Sequence, residues 1–341
     1  MINYYLYFFL IPITFVINYV LKKKKILLNY TGQKHQIYID KNPIPLSGGI
    51  IIILFFILNL NYFGINIITL LFIFFIIGLL ADLNLIKSPS YRFIIQILFL
   101  ILFITNFNLT INDVRIDVLN IFLENYYFNI FFILFCLLVL INGSNFIDGN
   151  NCLAIGYYLI IFLVLTHLCF SNNISYESGL FISTAIILTI LLIFNFANKL
   201  YLGDNGVYIL SIYTGYILIN LFNNNPQISP YFIVNLLWYP AFEILFSMIR
   251  KFNSKFSPMD PDTSHLHQLV YFYLNEKVKS KFFLNSLTGL YINLYNAFII
   301  YLSSINIYNT KIQILLLTTS VIIYFFCYIF FLNFKKLSFK K

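Results

Sequence analysis

The chain has 341 residues, of which 60% are hydrophobic and 10% are charged, and its formal net charge at pH 7 is +9. Soluble domains carry about 25% charged residues, so this composition excludes an ordinary soluble protein. A positive charge can indicate nucleic-acid binding, but in a chain this apolar it reports the orientation of the protein in a membrane. We therefore expect a lipid bilayer, and no nucleic acid, as a partner.

Apolar stretches long enough to cross a bilayer recur along the whole chain. They predict an all-α integral membrane protein, a polytopic bundle of about eleven transmembrane helices that forms one domain over residues 1–341. Its active site is expected on loops and helix ends at the cytoplasmic face. The predicted spans are 3–21, 46–64, 65–81, 91–107, 127–142, 152–171, 178–197, 206–223, 229–250, 283–303 and 311–334.

The basic residues support this number of spans and predict an orientation. When the loops alternate between two sides, 19 of the 21 Lys and Arg residues fall on one side, and the exceptions are Arg115 and Lys311. Positively charged loops face the cytoplasm, so the N-terminus is predicted outside and the C-terminus inside. Six of the eight aspartates lie on the same cytoplasmic side.

The first cytoplasmic loop carries two polar motifs. The motif GQKHQ contains Lys34 and His35, and the motif PIPLSGG ends in Gly48 and Gly49 at the start of the second span. A pair of glycines lets backbone N–H groups approach an anion, or lets the backbone approach another helix closely. Either role remains open from the sequence.

The second and third cytoplasmic loops place aspartates at the membrane edge. The second reads GLLADLNLIKSPSYRFIIQ, with Asp82 ten residues before Arg92. The third reads NGSNFIDGNN, in which Asn142, Asn145 and Asp148 alternate with small residues. Such polar groups beside span ends are candidates for substrate binding and catalysis.

The fourth and fifth cytoplasmic segments complete the set. The fourth, FNFANKLYLGDNGVYIL, has Lys199 and Asp204 at the tip of a short loop. An acid within a span is costly and usually functional, and the fifth segment contains one. Its polar residues of interest are Glu243, Arg250, Asp262, His265 and His267.

Together these loops predict a phosphorylated substrate. Converging carboxylates suit Mg²⁺, a hard cation that keeps several waters and shares its shell with substrate phosphates; Mn²⁺ is the alternative. Arginine and lysine suit phosphate groups. We expect Asp82, Asp148 and Asp204 to act in catalysis.

In this order the motifs resemble those of the bacterial polyprenyl-phosphate N-acetylhexosamine-1-phosphate transferases. PIPLSGG is similar to the Gly-Gly entry of that family, and ADLNLIKSPSYRFIIQ is similar to its aspartate pair with a distal Arg and Gln. The family pattern NxxNxxDG fits Asn142, Asn145 and Asp148, and K…GDxG fits Lys199 and Asp204. Its Pro-Asp…His-x-His loop fits Asp262, His265 and His267.

The resemblance implies transfer of a sugar-1-phosphate from a UDP-sugar, such as UDP-N-acetylglucosamine, to undecaprenyl phosphate in the bacterial inner membrane. It implies release of UMP and the start of a lipid-linked surface polysaccharide such as an O-antigen or capsule. It also implies that Asp204, with Asp82, binds the Mg²⁺ ion, and that the histidines contact the donor. A homodimer is left open.

The chain departs from the family pattern at several positions. Ala81 stands in place of the first member of the aspartate pair, Asn151 in place of a second aspartate, and Cys152 in place of a glycine. Two alternative functions therefore stay open. One is a catalytically inactive homologue, motivated by Ala81, and the other is a membrane transporter or flippase, whose polar groups should lie near the middle of the membrane.

Overall fold

The computed structural model describes residues 4–29, 43–171, 173–174, 176–253, 264–278 and 283–338. Within these ranges a short 3-10 helix at Tyr4–Phe9 precedes thirteen α-helices. They are α1 (Leu10–Lys24), α2 (Gly48–Leu58), α3 (Leu60–Asp82), α4 (Pro89–Asn106), α5 (Asp117–Leu123), α6 (Tyr126–Ile147), α7 (Leu153–Phe170), α8 (Ser178–Phe196), α9 (Gly203–Asn224), α10 (Pro230–Asn253), α11 (Leu266–Lys277), α12 (Leu284–Ile305) and α13 (Thr310–Ser338). The described part of the chain has no β-strand, and Leu28 and Pro45 form an isolated bridge. The predicted all-α fold is confirmed.

Each of the eleven predicted spans corresponds to a helix. In the part of the chain that the structure describes, nine helices are long and apolar enough to cross a membrane. The two remaining spans are α2, an apolar helix of 11 residues, and α12, whose 22 residues include several Asn and Ser. The helices α5 and α11 are not predicted, because both are short and lie in segments with polar character. The multi-pass architecture is confirmed.

The boundary predicted between the second and third spans falls at a real break in the helix. Gly64 has φ 72° and ψ 152°, which are not helical values, although α3 continues on both sides. A residue with a Cβ atom is strained at this positive φ, whereas glycine adopts it freely. The chain therefore changes direction at Gly64 and returns towards the end of the bundle where α3 ends at Asp82.

Helix α9 lies at the centre of the bundle. Among the candidate membrane-spanning helices of the described chain it is the most enclosed, because 83% of its most apolar 18-residue stretch is buried. It packs against α2, α3 and α6. Small residues allow close approach between membrane helices, and α9 has glycines at Gly203, Gly206 and Gly215 along its length. The N-terminus of α9 is consequently surrounded by the ends of its neighbours.

Helix α10 continues through a proline without losing a hydrogen bond. Pro240 lacks the N–H that would bond the carbonyl group of Leu236. The hydroxyl group of Tyr157 on α7 donates to that carbonyl at 2.9 Å instead. This substitution for the missing bond is what permits proline inside a membrane helix, and it holds the following turn, with Glu243, against its neighbours.

The two ends of the bundle are joined by different residues. At one end α3 and α6 finish where α9 begins, and we call this the site end. At the opposite end Arg115 donates to the carbonyl groups of Tyr308, Gln227 and Ile228 at 3.3, 2.9 and 3.1 Å. Arg115 is one of the two basic residues predicted on the minority side, so the contacts agree with the predicted alternation of loops.

We expect the site end to face the cytoplasm. On a background without the four native cysteines, single cysteines at Lys87, Lys199 and Lys336 should react with a membrane-impermeant maleimide only after the inner side is exposed. Cysteines at Asn112 and Lys311, which lie at the opposite end, are the matched controls and should react in intact cells. Labelling of all five positions from one side would contradict the orientation.

Candidate active site

The N-terminus of α9 is capped by carboxylates from two other helices. The N–H groups of Asp204 and Asn205 donate to Oδ1 and Oδ2 of Asp82, each at 3.0 Å. The side chain of Asn205 also donates to Asp82, and the backbone N–H of Gly203 lies close enough to Asp148 to favour its charged form. The first N–H groups of a helix have no partner within the helix and carry partial positive charge. Asp82 at the end of α3 and Asp148 after α6 therefore stabilise this terminus.

Glycine is required where α9 begins. Gly203 has φ 73°, and a Cβ atom there would lie 2.9 Å from Oδ2 of Asp82. Gly78 on α3 is equally confined, because a Cβ atom would lie 2.5 Å from the backbone nitrogen of Asn205. These positions let the carboxylate of Asp82 reach the helix terminus.

The predicted glycine pair has a packing role. A Cβ atom on Gly48 would lie 2.7 Å from Cα of Leu202, and one on Gly49 would lie 2.6 Å from the backbone nitrogen of Gly206. The sequence leaves two roles open for this pair. The described contacts support close approach between helices, because α2 packs directly on the start of α9.

Asp204 projects among polar side chains from two further helices. Its Oδ2 accepts from Nη1 of Arg92 on α4 at 2.7 Å and from the hydroxyl group of Tyr208 at 3.5 Å. Asn145 on α6 also lies beside the Asp204 carboxylate. One turn beyond Arg92, Gln96 accepts from the side-chain amide of Asn142 at 3.2 Å. Predicted residues from the second, third and fourth loops thus come together, with the exception of Lys199.

The three carboxyl groups of the cluster oppose one another's ionisation. Burial raises the pKa of Asp148 well above its usual value, and the charges of Asp204 and Asp82 raise it further. Among the described residues, Arg92 is the cation that forms an ion pair with a carboxylate of the cluster. A cation bound among these carboxyl groups would favour their charged forms.

The described residues do not form a complete metal site by themselves. Among them, no group of three or more His, Cys, Asp or Glu side chains could hold a metal ion. Mg²⁺ does not need such a group, because it keeps several waters and binds one or two carboxylates together with substrate phosphates. The carboxyl oxygens of Asp204 and Asp148 fit that mode of binding.

A second polar cluster holds the histidine segment. Oε1 of Glu243 lies 2.9 Å from Nδ1 of His265 and accepts from the N–H of Leu266 at 3.3 Å. The hydroxyl group of Tyr324 on α13 donates to Oε2 of Glu243 at 2.7 Å. Arg250, seven residues after Glu243 on α10, donates to the carbonyl group of Ser264 at 2.6 Å. Glu243 and Arg250 therefore fix the start of α11.

His267 joins the histidine segment to the carboxylate cluster. Its ring stacks on that of His265, with centroids 5.6 Å apart and an interplanar angle of 10°. A Cβ atom on Gly149, the residue after Asp148, would lie 2.7 Å from Nε2 of His267. Burial lowers the pKa of His267 to about 3, His265 lowers it further, and Glu243 opposes the shift. His267 is consequently neutral at pH 7.

Some predicted residues lie apart from these clusters. Lys199 is exposed and lines an apolar groove of about 290 Å³ between α1 and α8. The side chain of Asn18 on α1 donates to the Lys199 carbonyl group at 3.0 Å, which fixes the α8–α9 loop. The predicted residues Lys34, His35 and Asp262 lie outside the described residues.

Cys152, which the resemblance places where a glycine is usual, adopts a conformation that favours glycine. Cys152 precedes α7 with φ 64°, a value that most residues with a side chain adopt only with strain. Its N–H donates to Oδ1 of Asn195 at 2.5 Å, and its carbonyl group accepts from Asn293 at 2.8 Å. These buried hydrogen bonds hold the backbone in place.

Sequence reasoning does not assign roles to several residues that complete the two clusters. Gln96 and Tyr208 each lie four residues after a predicted site residue, Arg92 and Asp204, so helical spacing could have indicated them. Tyr324 on α13 gives no such signal, because it is one of 27 tyrosines in the chain.

The fold and the clustered carboxylates define a multi-pass membrane protein with a polar site at one end of its helix bundle. Residues 64–222 match the sequence model of glycosyl transferase family 4, the family of polyprenyl-phosphate sugar-1-phosphate transferases. The family resemblance predicted from the motifs is confirmed, and it supports a transferase. The match contains the three clustered aspartates, while the histidine segment follows it. No curated protein matches the chain.

Loss of one acceptor oxygen of Asp82 should weaken the start of α9. Asp82→Asn keeps the size of the side chain but offers one acceptor oxygen, and its amide group would face an N–H donor. Because a buried N–H donor left without an acceptor costs about 1–3 kcal/mol, we expect a clear fall in the thermal unfolding midpoint of the detergent-purified protein. The exposed Asp117→Asn is the control and should leave the midpoint near that of the wild type. Equal midpoints for the two variants would contradict the capping role.

The buried, neutral His267 should make stability depend on pH. Its pKa is about 3 in the folded protein and about 6.5 when unfolded. The stability that this buried, neutral imidazole contributes to the free energy of unfolding is therefore complete above pH 6.5 and is lost as pH falls. Between pH 7 and pH 5 the wild type should lose about 2 kcal/mol through this group. In His267→Gln the fall in unfolding free energy over this range should be smaller by that amount, whereas the exposed His167→Gln should follow the wild type. Parallel pH curves for wild type and His267→Gln would contradict this.

Proposed function

We propose that this protein transfers a sugar-1-phosphate, most simply N-acetylhexosamine-1-phosphate, from a UDP-sugar to undecaprenyl phosphate. The proposal places the site end at the cytoplasmic face of a bacterial inner membrane, where the transfer would be the first step in making a lipid-linked surface polysaccharide. The observation that carries it is the convergence of Asp82, Asp148 and Asp204 with Arg92 at the N-terminus of α9. The family match over the same residues supports it.

The reaction exchanges one phosphate bond for another. An oxygen of the acceptor phosphate attacks the phosphorus atom that carries the sugar, and the bond from that phosphorus to the oxygen of UMP breaks. UMP leaves, and the lipid retains the sugar through a diphosphate. Phosphoryl transfer depends mainly on positioning and on neutralising charge, which are tasks for the cations and helix ends of this site.

The acidic residues divide these tasks. Asp204 and Asp148 project oxygens that could hold Mg²⁺, and the ion would neutralise charge on the donor diphosphate when bound. Asp82 was predicted as the second metal ligand, but its two oxygens accept from the first turn of α9. We therefore assign Asp82 to holding Asp204 in position, and the metal to Asp204 with Asp148.

The cation of the cluster positions Asp204 and attracts the substrates. Arg92 is partly exposed, with 25% of its side chain accessible, so it can contact a phosphate oxygen while it stays paired with Asp204. Two anionic substrates would otherwise repel each other and the carboxylates. The neutral His267 and its partner His265 lie beside Asp148 and suit contacts with the donor.

Ala81 does not argue against turnover. The missing carboxylate would precede Asp82 on α3, where Ala81 is buried. The second pKa of a phosphate monoester is about 6, so the acceptor is already largely ionised near pH 7 and needs no general base. An inactive homologue, the alternative motivated by this residue, predicts the absence of UMP release under every condition.

Loss of the Asp204 charge should reduce turnover severely. Asp204→Asn keeps size and turn preference, and a residue that served only the turn would tolerate this change. As a metal ligand and partner of Arg92, Asp204 should be indispensable, and we expect UMP release to fall by roughly two to four orders of magnitude. The measurement is UMP release by purified protein with undecaprenyl phosphate and a panel of UDP-sugars across a Mg²⁺ titration.

A matched aspartate separates folding from chemistry in this experiment. Asp117→Asn changes an exposed aspartate at the opposite end of the bundle and should retain wild-type turnover and Mg²⁺ dependence. Folding of Asp204→Asn is checked by its thermal midpoint. Near-normal turnover of Asp204→Asn with unchanged Mg²⁺ dependence would overturn the metal assignment.

A further inference from the structure

A buried acid lies outside the transfer chemistry described above. Glu243 is completely buried inside the membrane helix α10, where an acid is expensive and needs partners. Its partners are the Nδ1 atom of His265, the N–H of Leu266 and the hydroxyl group of Tyr324. No described contact joins Glu243 to the carboxylate cluster, so its role must act through these neighbours.

The contact with Glu243 determines which nitrogen of His265 carries a proton. A carboxylate that already accepts from an N–H and an O–H is an acceptor towards the imidazole as well, so Nδ1 of His265 is the protonated nitrogen. Nε2 then points away from Glu243. This atom has no hydrogen-bond partner among the described residues and is not among their buried unpaired atoms, which leaves it accessible to a substrate.

The orientation of His265 reaches the carboxylate cluster through His267. The rings of the two histidines are stacked. The ring of His265 also contacts the ring of Phe146, with centroids 4.9 Å apart. Nε2 of His267 lies against Gly149, beside Asp148. A rotation of His265 would therefore disturb the histidine pair next to the proposed donor site.

We propose that Glu243 is a positioning residue for the donor substrate, which holds His265 through Nδ1–H and presents its Nε2 to the UDP-sugar. This inference rests on the proposed function for the identity of the substrate. It goes beyond that function because it assigns a role to an acid in the membrane that touches neither substrate. Residues that orient metal-binding histidines in this way change affinity by about 10- to 100-fold when they are lost, and we expect the same order here.

Two substitutions of Glu243 separate hydrogen bonding from simple filling of space. In Glu243→Gln the amide oxygen can still accept from His265 and Leu266, and the amide nitrogen can donate to Tyr324. In Glu243→Leu every one of these hydrogen bonds is lost while the volume stays similar. Tyr324→Phe removes one partner of Glu243 without touching His265, and it serves as the matched control.

The kinetic test compares the two substrates in one assay. For Glu243→Leu we expect the KM for UDP-N-acetylglucosamine, or for the donor selected from the panel, to rise about 10- to 100-fold. The KM for undecaprenyl phosphate should stay within about twofold. Glu243→Gln and Tyr324→Phe should remain near the wild type. An equal rise of both KM values, or a loss explained by a smaller folded fraction, would reduce Glu243 to a structural role and overturn the proposal.

A second measurement does not depend on turnover. The chain has four histidines, so protein labelled with [¹⁵N]histidine gives few signals, and His265→Gln identifies the signal of His265. We expect Nδ1 of His265 to carry the proton in the wild type and in Glu243→Gln. A proton on Nε2 alone in the wild type would overturn the inference, even if Glu243→Leu failed to fold. Absence of UMP release with a correct Nδ1–H signal would instead count against the proposed function.

Discussion

The arrangement of this site depends on the start of one helix. The first N–H groups of α9 are held by Asp82 and Asp148, which arrive from the ends of α3 and α6. A helix terminus inside a membrane protein cannot leave its N–H groups unpaired, so its requirement for acceptors draws carboxylates to one place. The same carboxylates then create the negative environment in which Asp204 and Arg92 are paired.

The two polar clusters use similar means for different purposes. Asp82 binds backbone N–H groups and thereby positions Asp204, while Glu243 binds Leu266 and His265 and thereby positions the histidine pair. In both, an acid holds in place a residue that the proposed function assigns to substrate binding. Because the clusters meet at Gly149 and His267, a substrate that contacts the histidines would lie beside Asp148.

Much of the fold and part of the site could be predicted from the sequence, because both follow local rules. Long apolar runs predict the spans, and Gly64 marks a break because only glycine adopts its backbone angles freely. Helix ends that alternate across a membrane must bring Asp82, Asp148 and Asp204 to one end. The partners of Glu243 could not be predicted, since Tyr324 lies 81 residues away. The choice between anion binding and helix packing at Gly49 likewise depends on a distant element.

The capping of α9 by Asp82 also constrains how the protein is made. Asp82 and Asp204 are separated by 122 residues, and at a synthesis rate of about 5–20 residues per second the ribosome needs roughly 6 to 24 s to cover that distance. During this interval the carboxylate must stay hydrated at the membrane surface, with its eventual partner not yet translated. Placement of Asp82 at the last residue of α3, rather than deeper in the helix, allows this waiting period. The carboxylate cluster therefore forms no earlier than the insertion of α9 between helices that are already in the bilayer.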